Sequence, residues 1–128
     1  MRLLTVSVLM FFAAIVASAA QSSEVPYDHA AFSAAVQAGQ PVAVVFHADW
    51  CPTCRAQAPL LKELLQEPKR HDLTLFVANF DTEMALRKQL GVVKQSTIVV
   101  FNKGREVARS TGDTQRESLS ALLQGASS

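Results

Sequence analysis

Cys51 and Cys54 are the only two cysteines in this chain of 128 residues, and they sit three apart in "ADWCPTCRAQAPLL", Ala48 to Leu61. An apolar run precedes them and a helical pattern follows. On a helix, residues i and i+3 have Cα atoms roughly 5 Å apart, a separation that a disulfide accepts. The pair opens the helix. Unpaired N–H groups and the positive dipole end therefore face the first sulfur and favour thiolate over thiol. Cysteines in such motifs have pKa values lowered to about 3.5–7.5. Pro52 falls at the first helical position, where a missing N–H costs little. Cys51 is expected to be exposed and to attack. Cys54, a turn further in, is expected to resolve the mixed disulfide.

Three uses of such a pair compete. Zinc needs four ligands, and the chain offers no second cysteine pair. Of its three histidines, His29 and His71 lie in polar sequence that reads as solvated. A permanent staple is weak, because so small a loop removes little unfolded-state entropy. Redox exchange is favoured. The alternative is a Cu(I) carrier using both thiolates, since soft thiolates suit that ion and two ligands suffice. No Met- or His-rich tract flanks the motif.

The elements that must position the pair follow from hydrophobic patterning. Gln21 to Pro26 reads as a loose polar lead-in. "YDHAAFSAAVQAG" is a helix capped by Asp28, with Phe32 and Val36 on one face, and stopped by Gly39. Pro41 to Ala48 is a continuous β-branched and aromatic run, as a buried strand requires. Cys51 to Gln66 has helical spacing through Leu60, Leu61, Leu64 and Leu65. Leu73 to Phe80 is a second buried strand. "DTEMALRKQLG" is a short helix with Asp81 or Thr82 as cap and Gly91 as stop. "STIVVFN" and "REVARST" form a hairpin about Asn102–Gly104. Gly112 breaks the chain, and Thr114 caps a last helix bearing Leu119, Leu122 and Leu123. Two strand–helix–strand crossings predict parallel neighbours, with helices on both faces of an α/β sheet. The hairpin adds an antiparallel edge.

The first twenty residues are different in kind. Arg2 is a short positive start, Leu3 to Val16 is apolar, and Ala17 to Ala20 offers small residues for cleavage. This predicts a signal peptide over residues 1–20 and one domain over residues 21–128. The leader carries one of the 12 basic residues and none of the 11 acidic ones, so the remaining chain is formally neutral. That charge gives no reason to expect a nucleic-acid partner or an anionic membrane surface. An exported location is expected, periplasmic if the host is Gram-negative, where disulfides persist. No membrane insertion is expected after cleavage.

"FHADWCPTCRAQAP" resembles the active-site segment of the thioredoxin family: a strand, Ala-acid-Trp-Cys-x-x-Cys, then Pro59 five residues after the second cysteine. The resemblance continues through "VANFD", "LGVVKQSTIVVFNKG" and Gly112, and covers nearly all of residues 30–124. It implies the thioredoxin fold, with a central mixed sheet of about four strands flanked by helices. It also implies thiol–disulfide exchange by Cys51 and Cys54 with protein thiols and disulfides, without metal or organic cofactor, by a monomer. Trp50, Pro52, Thr53, Ser96 and Thr97 are the positions expected to contact a partner. By analogy with small exported reductases, a reductase fed by a membrane thiol carrier is slightly preferred.

Four departures from the family pattern bear on mechanism. The dipeptide between the cysteines is Pro-Thr. Val45 stands where thioredoxins carry a buried acid, and Val77 where they carry its lysine. His47 shares the strand face of Val45 and, with an unperturbed pKa near 6.5, is a candidate proton carrier for Cys54. Asp49 reads as a solvated turn residue. Ser96 stands where the family has a cis-proline. A non-proline cis bond costs about 2.5–4 kcal/mol, so Gln95–Ser96 is expected to be trans, with the sulfurs more open than in thioredoxin.

Overall fold

The computed structural model describes residues 23–127. The expected leader lies outside the described residues. Five strands form one mixed sheet: β1 (Ser23–Pro26), β2 (Val42–His47), β3 (Thr74–Asn79), β4 (Thr97–Asn102) and β5 (Arg105–Thr111). Four helices surround it: α1 (His29–Gln37), α2 (Pro52–Leu65), α3 (Met84–Leu90) and α4 (Arg116–Gln124). The strand order is β1-β3-β2-β4-β5. β3 runs parallel to both β1 and β2, while β4 is antiparallel to β2 and to β5.

Side chains of β2 alternate between two cores, as the pleat demands. Ala43 and Val45 face a core completed by Leu61, Leu64 and Leu65 of α2 and by Leu119 and Leu123 of α4. Val42, Val44 and Phe46 face the other, with Phe32 of α1 and Leu86 of α3. In the second core Phe32 meets Phe76 and Phe101 edge-on, each at 5.5 Å between ring centroids. Asp28 caps α1 by accepting from Ala31 N at 2.8 Å. Lys103 and Gly104 both have positive φ, which closes the β4–β5 hairpin in two residues.

Several expectations are corrected. The lead-in is a strand: Ser23–Pro26 pairs residue by residue with Thr74–Val77. The second crossing is not parallel. β1 occupies the outer edge of β3, and the segment holding α3 does not return to the start of the sheet. β4 therefore begins at the end where β3 stops and runs back beside β2. Glu83 precedes α3 and Gln115 precedes α4, and neither side chain caps its helix. Asn79 Oδ1 takes the N–H groups of Asp81 and Thr82 instead, and Asp113 Oδ1 takes that of Gln115.

Candidate active site

The end of β2 delivers the chain to Cys51, whose extended backbone makes it the N-cap of α2. Its Sγ accepts the Cys54 N–H at 3.3 Å, so a sulfur does the work of a capping oxygen. Pro52 occupies the first turn without losing a hydrogen bond. Cys51 is not exposed as expected. Cys51 and Cys54 have 3% and 1% of their surface accessible, and they pack with Ala48 against Phe80. Arg87 stacks 3.7 Å over the Phe80 ring and donates to the Phe80 carbonyl, which fixes that wall. Cys51 meets solvent through a shallow groove of about 260 Å³ that Thr53, Lys94, Gln95, Ser96, Thr111 and Gly112 also line.

Gln95–Ser96 is trans, in line with the absence of any cis bond among the described residues. Ser96 is nevertheless strained: its φ of +60° lies in the left-handed region, which costs a serine roughly 1–2 kcal/mol. Three hydrogen bonds hold it there. Ser96 N donates to Phe46 O at 2.8 Å, and Ser96 O accepts from Gly112 N at 3.0 Å and from Gln57 Nε2 at 3.4 Å. The conformation drives the side chain inward. Ser96 Oγ stands 2.8 Å from Cys54 Sγ and 3.6 Å from Cys51 Sγ, with 1% of the residue accessible. The sulfurs are thus covered, contrary to the expectation that a serine leaves them open. The hydroxyl itself bridges the gap.

The two thiols sit in opposite electrostatic situations. Burial alone would raise Cys51. The Cys54 N–H, the Cys54 thiol, the Ser96 hydroxyl and the Gln95 side chain outweigh it and bring the thiol down to about 7. Cys54 is pushed up, chiefly by burial; Ser96 and the Ala48 backbone oppose that, and the neighbouring Cys51 adds to it.

Behind Cys54 lies a cavity of about 140 Å³, walled by Val45, Ala58, Leu61, Leu75 and Val77. His47, Gln57 and Glu24 supply its polar lining. His47 Nε2 bonds Asp49 Oδ1 at 2.9 Å. A carboxylate only accepts, so Nε2 is the donor in this bond. Thr97 is buried: its hydroxyl donates to Lys94 O at 2.8 Å and meets Thr111 Oγ1 at 2.9 Å, so it braces the loop. Trp50 is 58% accessible and donates from Nε1 to Asp81 Oδ2 at 2.8 Å.

Two of these residues belong to no motif in the sequence. Gln57 is buried and ties α2 to two loops, donating to Asp113 O at 2.9 Å as well as to Ser96 O. Its signal is positional: it interrupts, with a polar side chain, the buried stripe of Cys54, Leu61 and Leu64. Glu24 carries no local signal, because its strand exists only through pairing with β3.

The protein-family model described as Thioredoxin matches residues 23–125. The chain belongs to the thioredoxin family. It is 35% identical over 92 residues to a thioredoxin from Alicyclobacillus acidocaldarius, covering 72% of this chain and 87% of that protein. The crystal structure of Trxlp from Edwardsiella tarda EIB202 is 44% identical, with a TM-score of 0.77 over 79% of this chain and 98% of that one. A mutant thioredoxin from Halobacterium salinarum shares the fold at 23% identity and a TM-score of 0.71, covering 88% of this chain and 96% of that one. This thioredoxin-family chain is a thiol–disulfide oxidoreductase, and its family acts on protein thiols and disulfides.

Proposed function

We propose that the chain is an exported reductase in which Cys51 attacks a partner disulfide, Cys54 resolves the mixed disulfide and His47 carries the Cys54 proton. The observation that carries this reading is the Cys51 sulfur capping α2 beside an open groove, with its thiol down at about 7. Thioredoxin attack cysteines lie near 7, whereas that of the strong oxidant DsbA lies near 3.5. That comparison favours a reductant. His47 is assigned because it and Cys54 line one cavity in which Val45 and Val77 stand at the places of the family's acid and lysine, Glu24 of β1 being the carboxylate present. A protein partner suits the surface. Trp50 and Val93, two large exposed apolar side chains, immediately precede Cys51 and the groove residue Lys94 in the chain.

Cys54→Ser should trap a mixed disulfide with a partner, and Cys51→Ser should trap none; the reverse pattern overturns the order of attack. A reduction potential near about −270 mV supports a reductant, and one near about −120 mV overturns it. Export rests on the patterning of residues 1–20. Protein recovered from the cell envelope beginning near Gln21 supports it, and full-length cytosolic protein refutes it. Cu(I) carriage is the rival use of the two thiolates. Tight Cu(I) retention against a chelator, without disulfide exchange, would favour that rival.

A further inference from the structure

Glycine would occupy the backbone of residue 96 without strain, yet the chain places a serine there. The strained conformation aims its hydroxyl at the two sulfurs. A hydroxyl has one proton to donate and two lone pairs to accept with. Two backbone groups also lie near Cys54 Sγ: the Phe46 carbonyl at 3.9 Å, which only accepts, and the Ala48 N–H, which is fixed in place. Ser96 Oγ, at 2.8 Å, is the side-chain donor placed to turn toward a Cys54 thiolate. Cys51 has a second donor of its own, the Cys54 N–H.

We infer that the Ser96 hydroxyl serves the two sulfurs in turn, donating its proton first to Cys51 and then to Cys54, and so makes Ser96 a catalytic residue of the resolving step. The inference rests on the assignment of Cys51 and Cys54 as the redox pair. In the free dithiol, Cys54 keeps its proton and gives it to a Ser96 lone pair, while the Ser96 O–H points at the Cys51 thiolate. Cys51 then attacks the partner disulfide. A Cys51–partner S–S bond forms, the partner's own S–S bond breaks, and one partner sulfur departs as thiolate. Cys51 is now neutral and no longer competes for the hydroxyl proton. Cys54 loses its proton to His47, and through it to solvent, in the cavity that both line, and the Ser96 O–H turns to the new thiolate. Cys54 attacks Cys51 Sγ, the Cys51–Cys54 bond forms, and the second partner sulfur departs as thiolate. The dithiol has lost two electrons and the partner disulfide has gained them. The two protons shed by Cys51 and Cys54 end on the partner thiols or in solvent.

The titratable and charged groups facing this step are Cys51 itself, His47 of β2 and Glu24 of β1 in the cavity, and Lys94 across the groove. Removing the hydroxyl leaves all of them in place. The hydroxyl holds both thiols lower than they would otherwise stand, which fits the proposed order of donation.

The test uses 5,5′-dithiobis(2-nitrobenzoate) as the disulfide. The chain has only two cysteines. One nitrothiobenzoate is released when Cys51 attacks and a second when Cys54 resolves, so the two steps are read as two phases. Ser96→Gly removes the hydroxyl and relieves the backbone, so folding is retained; Ser96→Ala is the second variant. Losing a hydrogen bond to a charged group should raise the pH midpoint of the second phase by about one unit. Near neutrality the thiolate fraction then falls about tenfold, and the greater nucleophilicity of a higher-pKa thiol returns part of it, for a net slowing of about threefold. Above both midpoints the order reverses, and the variants resolve about threefold faster than the native chain. A purely structural role for Ser96 gives no such crossing. An unchanged second-phase midpoint in both variants overturns the inference alone. Release of a single equivalent by the native chain overturns the redox-pair assignment and the inference with it.

Discussion

The reactivity of Cys51 should follow the charge on its sulfur. An ordinary thiol titrates near 9.0, and this one near 7. At pH 7 about half of Cys51 is then thiolate, against about one part in a hundred for the ordinary thiol, a gain of about fiftyfold. A lower pKa also makes each thiolate a poorer nucleophile. With a Brønsted slope of about 0.4–0.5, two units cost about six- to tenfold. Cys51 should therefore react with iodoacetamide about five- to eightfold faster than a free thiol at pH 7. The measurement is the pseudo-first-order alkylation rate of the reduced protein from pH 5 to pH 10, with the modified cysteine identified by peptide mass. Cys51 should be alkylated first, with a rate that climbs through pH 7 and levels above pH 8. A rate still climbing tenfold per unit between pH 8 and pH 9 would show that the capping N–H and its neighbours do not hold the thiolate. The electrostatic account of Cys51 would then be wrong.

Three further outcomes are expected. His47→Phe should slow Cys54-dependent resolution about tenfold or more between pH 6 and pH 8 while leaving the unfolding midpoint unchanged; an unaltered pH–rate profile would make His47 only a wall of the cavity. Phe32→Ala removes a ring packed edge-on against two others, and should cost about 3–5 kcal/mol in urea unfolding. A loss below about 1 kcal/mol would show that the second core collapses around the gap. Arg70 is buried, and its Nη2 donates to Ser120 O at 3.0 Å and to Ser120 Oγ at 2.7 Å. Arg70→Met should cost about 1.5–3 kcal/mol and speed amide exchange in α4; unchanged exchange there would refute the anchoring role.

What could be read from the sequence was what local chemistry determines. The cysteine spacing, Pro52 at the helix start, Asp28 as a cap and Gly91 as a stop each act within a few residues, so their pattern is visible in the chain. Hydrophobic runs gave β2, β3 and β4 because those strands are buried on both faces. The failures are long-range. β1 has four residues and a half-buried pattern, and it becomes a strand only through β3, far along the chain. The direction of β4 depends on which sheet edge is free, which no local pattern records. At the site, the bond from Trp50 to Asp81 spans 31 positions and the contact of Ser96 with Cys54 spans 42. That serine could be aligned to the family's proline, but not aimed. Its direction follows from a positive φ that glycine would signal and serine does not.

Trp50 is the only tryptophan in the chain, and it immediately precedes Cys51 with its indole tethered to Asp81. Emission excited at the red edge of the protein spectrum therefore comes from one ring, tethered to Asp81 on the residue next to Cys51. Disulfides quench neighbouring indoles, so the oxidised and reduced forms should differ in brightness. A docked partner that covers the ring should shift its colour to the blue. The chain thus carries a built-in optical reporter, able to follow electron transfer and partner binding as separate signals in the unlabelled protein.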